Sequence, residues 1–315
     1  MQSANWGIEL LRVPETWKIT RGEGVTVLVI DTGCPARIKR GREVVHPDLA
    51  GNVLADQCRS FVWDEDSIYD MSGHSTACCG IIAAEDNGKG VVGYAPAAKV
   101  VTFKAVGESG SGYPGDLARA FEAAIDLRPD VVSVSIGLPS GASKLRKSLR
   151  TLADMGVPVI CSAGNGGADG VKYPAKFPET IAVGAFGGRY DIADFSARGA
   201  EVDFAFPGVG IRTTWKNEGY KSVSGTSFAC PACAGLVALL IAKHRRQEAE
   251  TGQNDCRTVA DIYDHLKKYA VNPESPEGRD DAWGWGYVSV EKMFGLSAKK
   301  NATPRPRWLR QRHWK

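Results

Sequence analysis

Short apolar stretches alternate along the chain with amphipathic ones. Residues 116–127 and 143–156 carry apolar side chains at spacings of three and four, the period of a helix with one buried face. Strand-like apolar runs cover residues 25–31, 78–84, 99–106, 130–137, 157–164 and 180–186. Strands separated by helices are typical of a parallel sheet covered on both faces. The pattern predicts an α/β fold, a three-layer sandwich with a mainly parallel central β-sheet flanked by helices.

Polar residues stand where several of these predicted strands end. Asp31 closes the first run, Ser135 and Gly137 close the fourth, and Asn165 follows the fifth. Ligands of such sheets bind beyond the carboxyl ends of the strands, so these residues are candidates for a site. Taken singly, Asp31 before Thr-Gly and Asn165 in a glycine-rich loop are typical turn residues.

Size and charge narrow the class of protein. A chain of 315 residues with 43% apolar content buries a large core, which excludes disorder throughout. The net charge is +3, but residues 297–315 hold seven Lys or Arg and no acid, and the remaining chain has a net charge of −4. We expect residues 297–315 to be a basic, disordered C-terminal tail. Its arginines and tryptophans leave nucleic-acid or acidic-surface binding as the less favoured alternative.

Cysteines and the first residues bear on the cellular compartment. No apolar run approaches the about 18 residues of a membrane helix, and the first residues lack the layout of a signal peptide. We therefore expect a cytoplasmic or intracellular protein without a membrane partner, or a secreted one if this is a trimmed mature form. Several of the eight cysteines lie inside apolar patterns, which predicts buried, reduced thiols.

The stretch VSGTSFACPACAG, residues 223–235, places Ser227 before an apolar, helix-like run. A serine there is commonly a helix cap, and its hydroxyl becomes a nucleophile only beside a base that a carboxylate orients. His74 lies in GHST before another apolar run, where a lone histidine is usually a helix-start residue. Asp31, His74 and Ser227 follow one another in the chain order of the subtilisin triad.

At these residues the chain resembles the subtilisin-like serine peptidases, the subtilase family, from about residue 5 to residue 296. The shared motifs are VIDTG, GHST, SIG, SAGN, YPAKFPETIAVGA, FAFPG and SGTSFACPACAG. The resemblance implies a peptidase catalytic domain over residues 1–296 and a serine endopeptidase that works through an acyl-enzyme. Ser227 would attack the peptide carbonyl, His74 would move the proton and Asp31 would orient His74. The Asn165 amide and the Ser227 N–H would hold the oxyanion.

The resemblance also implies how a polypeptide substrate binds. An extended segment would add as a strand between residues 110–112 and 135–137, although GSG alone is typical of a flexible loop. Lys172 would lie near the base of the pocket for the side chain preceding the scissile bond. It would then favour Glu or Asp there, or else point into solvent over a broad apolar pocket. The implied substrate-binding set is Gly110, Ser111, Gly112, Ser135, Ile136, Gly137, Ala163, Gly164, Lys172 and Thr226.

The loop AAEDNGKGVVGYAP resembles the calcium loop of the family, although alone it could be a simple DNG-type turn. Calcium requires six to eight oxygen ligands. The resemblance implies a structural Ca²⁺ held by the side chains of Gln2, Asp48 and Asn87 and by the carbonyl oxygens of Glu85, Lys89 and Val91.

Other interpretations compete with a hydrolase. CPAC, residues 230–233, could be a redox or zinc motif, but no second cysteine pair has zinc spacing and Pro231 falls where the family helix also has proline.

The chain also departs from the family near the histidine. Ser75 and Ala77 stand where the family usually has Gly and His, and neither substitution removes a triad atom. A scaffold that only binds peptides, and a transpeptidase using the same acyl-enzyme, stay open. The family further implies an inhibitory propeptide as a partner, which this sequence does not contain.

Overall fold

The computed structural model describes residues 2–39, 42–108, 112–276 and 278–297. Its helices are α1 (Trp6–Leu10), α2 (Val13–Thr16), α3 (His74–Ala83), α4 (Pro114–Leu127), α5 (Ser143–Asp154), α6 (Thr226–Thr251), α7 (Val259–Lys268) and α8 (Val290–Met293). Its strands are β1 (Thr26–Asp31), β2 (Ala36–Lys39), β3 (Arg42–Val45), β4 (Arg59–Ser60), β5 (Lys99–Lys104), β6 (Val131–Val134), β7 (Val159–Ser162), β8 (Ile181–Phe186), β9 (Phe204–Pro207), β10 (Ile211–Trp215), β11 (Gly219–Val223), β12 (Ala270–Val271) and β13 (Tyr287–Val288).

Seven strands form one sheet in the order β4-β5-β1-β6-β7-β8-β9, and every neighbouring pair is parallel. Ile30 of β1 is in register with Phe103 on one side and Val134 on the other. The remaining strands form antiparallel hairpins, β2 with β3, β10 with β11 and β12 with β13. The predicted α/β fold with a mainly parallel central sheet is confirmed.

Helices cover both faces of this sheet. Residues 27–30 of β1 are fully buried although their side chains alternate between the faces, which requires cover on each side. Helices α3 and α6 pack against each other and against the sheet, whereas α4 and α5 pack together and contact β1 and β7. Because both faces of the central strands are buried, their sequences are near-continuous apolar runs.

The strand predicted for residues 78–84 is wrong. Residues 78–83 belong to α3 and Ala84 is its C-cap; every residue from Ser75 to Ala83 is buried. A helix buried on all sides has no polar face, so its sequence lacks the period of 3.6 that distinguishes a helix from a strand.

Helix α6 runs through the core. Its length and its mean hydropathy of 1.6 over the most apolar window would suffice to cross a membrane, but 89% of that window is buried inside the protein. The expectation that no apolar run approaches membrane length is corrected here, because the alanines, glycine and cysteines around Pro231 continue a hydrophobic stretch. The helix carries Ser227 at its beginning, and its residues after His244 are no longer buried.

The cysteine prediction is confirmed, since all eight cysteines are buried and free. The thiols of CPAC, Cys230 and Cys233, have no exposed surface. Of the predicted tail, only Ser297 is among the described residues, so the boundary at residue 297 stays a prediction.

Candidate active site

The candidate site lies where the order of the strands changes direction. Strand β1 has β5 on one side and β6 on the other, and ligands of open parallel sheets bind beyond the carboxyl ends of strands at such a switch point. Asp31 is the last residue of β1, and Ser135 directly follows β6. The fold therefore places both residues at one edge of the sheet.

Asp31 and His74 form a hydrogen-bonded pair. His74 Nδ1 lies 2.7 Å from Asp31 Oδ1, which also accepts the Thr32 N–H at 2.7 Å. The Asp31 side chain is 1% exposed and that of His74 is 27% exposed. Because a carboxylate only accepts, Nδ1 carries the proton, and Nε2 of the neutral ring is left as a base.

The electrostatic balance at His74 favours its charged form. Burial acts to lower the pKa of His74, but the charge and hydrogen bond of Asp31, together with the charge of Asp70, outweigh it and raise the pKa. An imidazolium formed while His74 holds a proton is therefore stabilised by two carboxylates.

Asp70 is a site residue that the sequence analysis missed. It is fully buried and accepts hydrogen bonds from the N–H groups of Gly73 and Thr76 at 2.8 and 2.7 Å. It also accepts the hydroxyls of Thr32 at 2.8 Å and Thr76 at 2.7 Å. These bonds cap the beginning of α3 and so position His74. An aspartate four residues before a helix-start histidine was the available signal.

Ser227 is the second residue of α6, directly before the phenylalanine that packs against the His74 ring. The rings of His74 and Phe228 lie 5.2 Å apart between centroids, which brings the histidine against the first turn of this helix. The Ser227 hydroxyl donates to the Ser135 carbonyl oxygen at 3.4 Å. Such a long hydrogen bond holds the hydroxyl weakly and leaves it able to turn about its Cα–Cβ bond.

Pro231 explains how the Ser227 backbone is held. Proline has no N–H, so the Ser227 carbonyl oxygen lacks the hydrogen bond that residue 231 would otherwise donate within α6. This oxygen instead accepts the Ser135 hydroxyl at 2.8 Å and the Cys78 thiol at 3.4 Å. The proline of CPAC thus leaves this carbonyl oxygen to join the first turn of α6 to the middle of α3 and to the end of β6, which is a structural role.

Asn165 is oriented by the same turn. Its Oδ1 accepts both the Thr226 N–H at 2.9 Å and the Thr226 hydroxyl at 3.0 Å, so its NH₂ group is left to donate. Thr226 itself is fully buried, and its Oγ1 also accepts the Gly164 N–H at 3.1 Å. The Thr226 side chain thus positions Asn165, and the predicted place of Thr226 in the substrate-binding set stays a prediction.

Part of the predicted substrate cleft is described. Gly110 and Ser111 lie outside the described residues, whereas Gly112 is described and exposed. On the other side, Ser135 is buried, Ile136 is half-buried and Gly137 is exposed as the chain leaves β6.

Lys172 lies against Gly137, in the segment 135–137 that forms the second side of the predicted substrate cleft. A Cβ atom on Gly137 would come within 3.3 Å of Lys172 Cβ, and one on Gly164 within 3.0 Å of Lys172 Cγ. The Lys172 N–H donates to the Ala163 carbonyl oxygen at 2.9 Å. The structure thus brings together Gly137, Ala163, Gly164 and Lys172, and none of the ion pairs among the described residues includes Lys172.

Hydrogen bonds join the segments that carry the predicted calcium ligands. Asp48 is fully buried, its Oδ2 accepts the Val91 N–H at 2.7 Å, and its Oδ1 is buried without a hydrogen-bond partner. Gln2 Nε2 lies 2.5 Å from the Glu85 carbonyl oxygen and 3.1 Å from that of Val91. Asn87 and Lys89 form the turn between them, where the Lys89 N–H donates to Asn87 Oδ1 at 3.0 Å. An orphaned carboxylate oxygen among carbonyl and amide oxygens fits Ca²⁺.

Tyr220, beside Asp48 of the predicted calcium site, is a second residue that the sequence analysis missed. Burial first and then the charge of Asp48 raise the pKa of Tyr220 to about 12. A Cβ atom on Gly90 would overlap both the Tyr220 hydroxyl and Asp48 Oδ2, so this position requires glycine. No spacing pattern in the sequence relates Tyr220, on β11, to Asp48.

Comparison with known proteins identifies the family of the chain. A family model described as the Subtilase family matches residues 22–286. Subtilisin Savinase of Lederbergia lenta is 35% identical over 291 residues, which cover 92% of this chain and 98% of that protein. M-protease of Shouchella clausii (strain KSM-K16) is 35% identical over 92% of this chain and 70% of its own length. Major intracellular serine protease of Bacillus subtilis (strain 168) is 34% identical over 74% of each chain.

The chain belongs to the subtilase family. It is a hydrolase, a serine endopeptidase of the subtilisin type.

Proposed function

We propose that this chain hydrolyses peptide bonds in extended polypeptide segments through Ser227, His74 and Asp31. Ser227 Oγ attacks the carbonyl carbon and its proton passes to His74 Nε2. The amine leaves with that proton, and water then releases the acyl group from Ser227 by the reverse route. The observation that carries this proposal is the 2.7 Å bond between His74 Nδ1 and Asp31 Oδ1, with His74 against the first turn of α6.

Two donors converge on the proposed oxyanion. The Ser227 N–H lies in the first turn of α6, where backbone N–H groups lack intrahelical partners and the helix dipole favours negative charge. The Asn165 NH₂ group is left to donate because its Oδ1 is engaged by Thr226. Together they would stabilise the charge that develops on the carbonyl oxygen.

A fluorophosphonate probe tests the assignment of the nucleophile. Folded protein with Ca²⁺ should gain the mass of one adduct, located on Ser227 by peptide mapping. A folded, calcium-loaded sample without an adduct would contradict the proposal and favour a scaffold that only binds peptides. Product masses from a peptide incubated with a second amine separate hydrolysis from transpeptidation, because only the latter joins two peptides.

Asn165→Ala should lower kcat by about 10²- to 10³-fold, roughly 3–4 kcal/mol of transition-state stabilisation, as when subtilisin loses such a donor. The value of KM should change little, because the donor acts on charge that develops after binding. Steady-state kinetics on one peptide substrate measure both. Thr226→Val is the matched control: it keeps the Asn165 amide and removes one of its two orienting bonds, so its loss should be smaller. Equal kcat in Asn165→Ala and the parent would remove Asn165 from the oxyanion site.

We further propose that Lys172 selects an acidic side chain before the scissile bond. Its stem lies against Gly137 and Gly164, which support a lysine reaching along the wall of the cleft. Its ammonium group has no carboxylate partner among the described ion pairs, so a substrate Glu or Asp would supply one.

Lys172→Gln should lower kcat/KM for a peptide with Glu at that position by about fivefold, the effect of a partly exposed ion pair of about 1 kcal/mol. A peptide with Leu at the same position should be cleaved equally well by both proteins. The ratio of the two kcat/KM values is the measurement. An unchanged ratio would show that Lys172 points into solvent over an apolar pocket.

We also propose that Gln2, Asp48, Glu85, Asn87, Lys89 and Val91 hold a structural Ca²⁺. The buried, unpartnered Asp48 Oδ1 supports this, because a carboxylate oxygen without a donor is costly unless a cation neutralises it. The ion would neutralise Asp48 and tie the N-terminal segment to the loop after α3.

Calcium removal should lower the melting temperature of the Ser227→Ala protein, a form that cannot digest itself. A hundredfold excess of ion over Kd stabilises by about 2.7 kcal/mol, which corresponds to a shift of roughly 5–10 °C. Scanning calorimetry with EGTA and with Ca²⁺ measures the shift. Asp48→Asn should lose most of this dependence, and Asp126→Asn, which removes an exposed acid on α4, should keep it. A shift that survives in Asp48→Asn would refute this calcium site.

A further inference from the structure

A buried histidine of α6 and a half-buried histidine of α7 have buried ring nitrogens without hydrogen-bond partners. His244 of α6 is 3% exposed, and within the described part of the chain neither of its ring nitrogens has a partner. His265 Nε2, on α7, is likewise buried without a partner. The two rings lie 5.1 Å apart between centroids at an angle of 82°. Buried nitrogens of this kind destabilise a fold unless another group binds them.

Cys256 completes a group of three. One ligand atom from each of His244, Cys256 and His265 lies within 4.8 Å of the other two. Nitrogen and sulfur ligands of a tetrahedral zinc ion lie about 3.3–3.6 Å apart, so side-chain rotations that close the group by about 1 Å would bring all three to one ion. The ligand types, two imidazoles and a thiolate, suit Zn²⁺ and do not suit Ca²⁺ or Mg²⁺.

The loop that carries Cys256 is held against α6. Glu248 lies one turn after His244, and its Oε2 accepts the Asn254 amide at 2.8 Å. Asn254 Oδ1 in turn accepts the Cys256 N–H at 2.9 Å, and Glu248 Oε1 pairs with Arg257 at 2.6 Å. Glu248, Asn254 and Arg257 thus hold the loop in place before any ion binds, which favours a preformed site.

The protonation states also suit a metal. Burial first, and then the charge of Lys243, lower the pKa of His244. Burial first, followed by His244 and nearby lysines, lowers the pKa of His265 to about 4. Both imidazoles are therefore neutral near pH 7, which is the form that binds metal ions.

The thiol behaves differently. Burial, followed by the charges of Asp261 and Asp255, raises the pKa of Cys256 to about 12, so the thiol keeps its proton in the absence of a cation. A metal ion must displace that proton. Lys243 and Lys268 oppose a cation here, and the two aspartates offset them.

We propose that His244, Cys256 and His265 form a zinc site that joins the end of α6 to α7. On binding, Zn²⁺ forms a bond to Cys256 Sγ and the S–H proton passes to solvent, with no change in oxidation state. A surface cleft of about 610 Å³, lined by Cys256 with Arg245, Glu248 and Asn254, reaches the site on the side of Cys256. His244 lies 17 residues after Ser227 along α6, about 25 Å from the nucleophile, so this site is separate from the triad.

Cobalt titration of the Ser227→Ala protein tests the site. Excess Ca²⁺ is present throughout, so that it occupies the oxygen ligands of the proposed calcium site and Co²⁺ does not bind there. Chelator-treated protein should bind one equivalent of Co²⁺ and gain a thiolate-to-cobalt charge-transfer band in the near ultraviolet, together with the visible bands of tetrahedral Co²⁺. One proton should be released per ion, and Zn²⁺ should displace the cobalt. Absence of these bands at one equivalent would overturn the proposal.

Variants separate this site from the Asp31, His74 and Cys78 group, the other cluster of potential ligands among the described residues. Cys256→Ser should lose the charge-transfer band, and the matched thiol variant Cys78→Ser should keep it. His265→Ala, at a half-buried position that tolerates truncation better, should weaken Co²⁺ binding by more than about a hundredfold while circular dichroism confirms the fold. A band that survives in Cys256→Ser, or disappears in Cys78→Ser, would place the metal elsewhere and refute the site.

Discussion

Ser227→Ala is expected to lower kcat by on the order of 10⁶-fold, as in the subtilisin triad, and to abolish labelling by a fluorophosphonate. Alanine removes the oxygen that forms the acyl-enzyme and leaves the fold intact, because the Ser227 hydroxyl makes one long hydrogen bond, to the Ser135 carbonyl. The contacts that hold this turn use the Ser227 backbone carbonyl instead. Single-turnover kinetics with a chromogenic peptide measure the loss, and an unchanged melting temperature shows that it is chemical.

A double-mutant comparison strengthens this test. His74→Ala should cost about as much as Ser227→Ala, and the double variant should lose little more, because the serine and its base act as one unit. Ser224→Ala is the matched control: this exposed serine, three residues earlier, donates nothing to the triad and instead accepts the Gly210 N–H at 2.9 Å. Multiplicative losses in the double variant would mean that His74 does not activate Ser227.

Asp31→Asn should lower kcat by about 10⁴-fold and shift the pH dependence of the remaining activity. An asparagine at position 31 can offer an N–H to His74 Nδ1, which favours the wrong tautomer and leaves Nε2 carrying the proton. It also removes the charge that raises the pKa of His74 above its usual value.

The direction of the pH shift follows from the role of His74 as a base. Activity is lost as the pH falls through the pKa of His74, because only the neutral ring accepts the serine proton. The parent should therefore lose kcat/KM at a higher pH than an ordinary histidine would, and Asp31→Asn should lose it at a lower pH than the parent. Asp154→Asn, at the exposed end of α5, should leave the profile unchanged. Coincident acid limbs in the parent and Asp31→Asn would contradict the pairing of Asp31 with His74.

The central strands and the two amphipathic helices were predictable from sequence, because strands buried on both faces and helices with one buried face leave distinct patterns. Helix α3 was partly mistaken for a strand since burial on every side removes its polar face. Asp31 and Asn165 could be found because strand ends in a parallel sheet converge on one edge. Their pairing with His74 and Ser227 rested on several separated motifs rather than on any local spacing.

Chain order and residue type by themselves determined the α/β class, the family resemblance and the candidates for nucleophile, base and acid. Only the tertiary structure decided the tasks of Asp70, Thr226 and Pro231 at the beginnings of α3 and α6, where bonds such as Asp70 to Thr32 and Thr226 to Asn165 join residues far apart in the chain. The same holds for His244, Cys256 and His265: their spacing matches no metal motif, and they meet because the fold brings one side of α7 beside the end of α6. Local patterns record whether a side chain is buried, whereas the partner of a buried polar group is set by which elements the fold brings together.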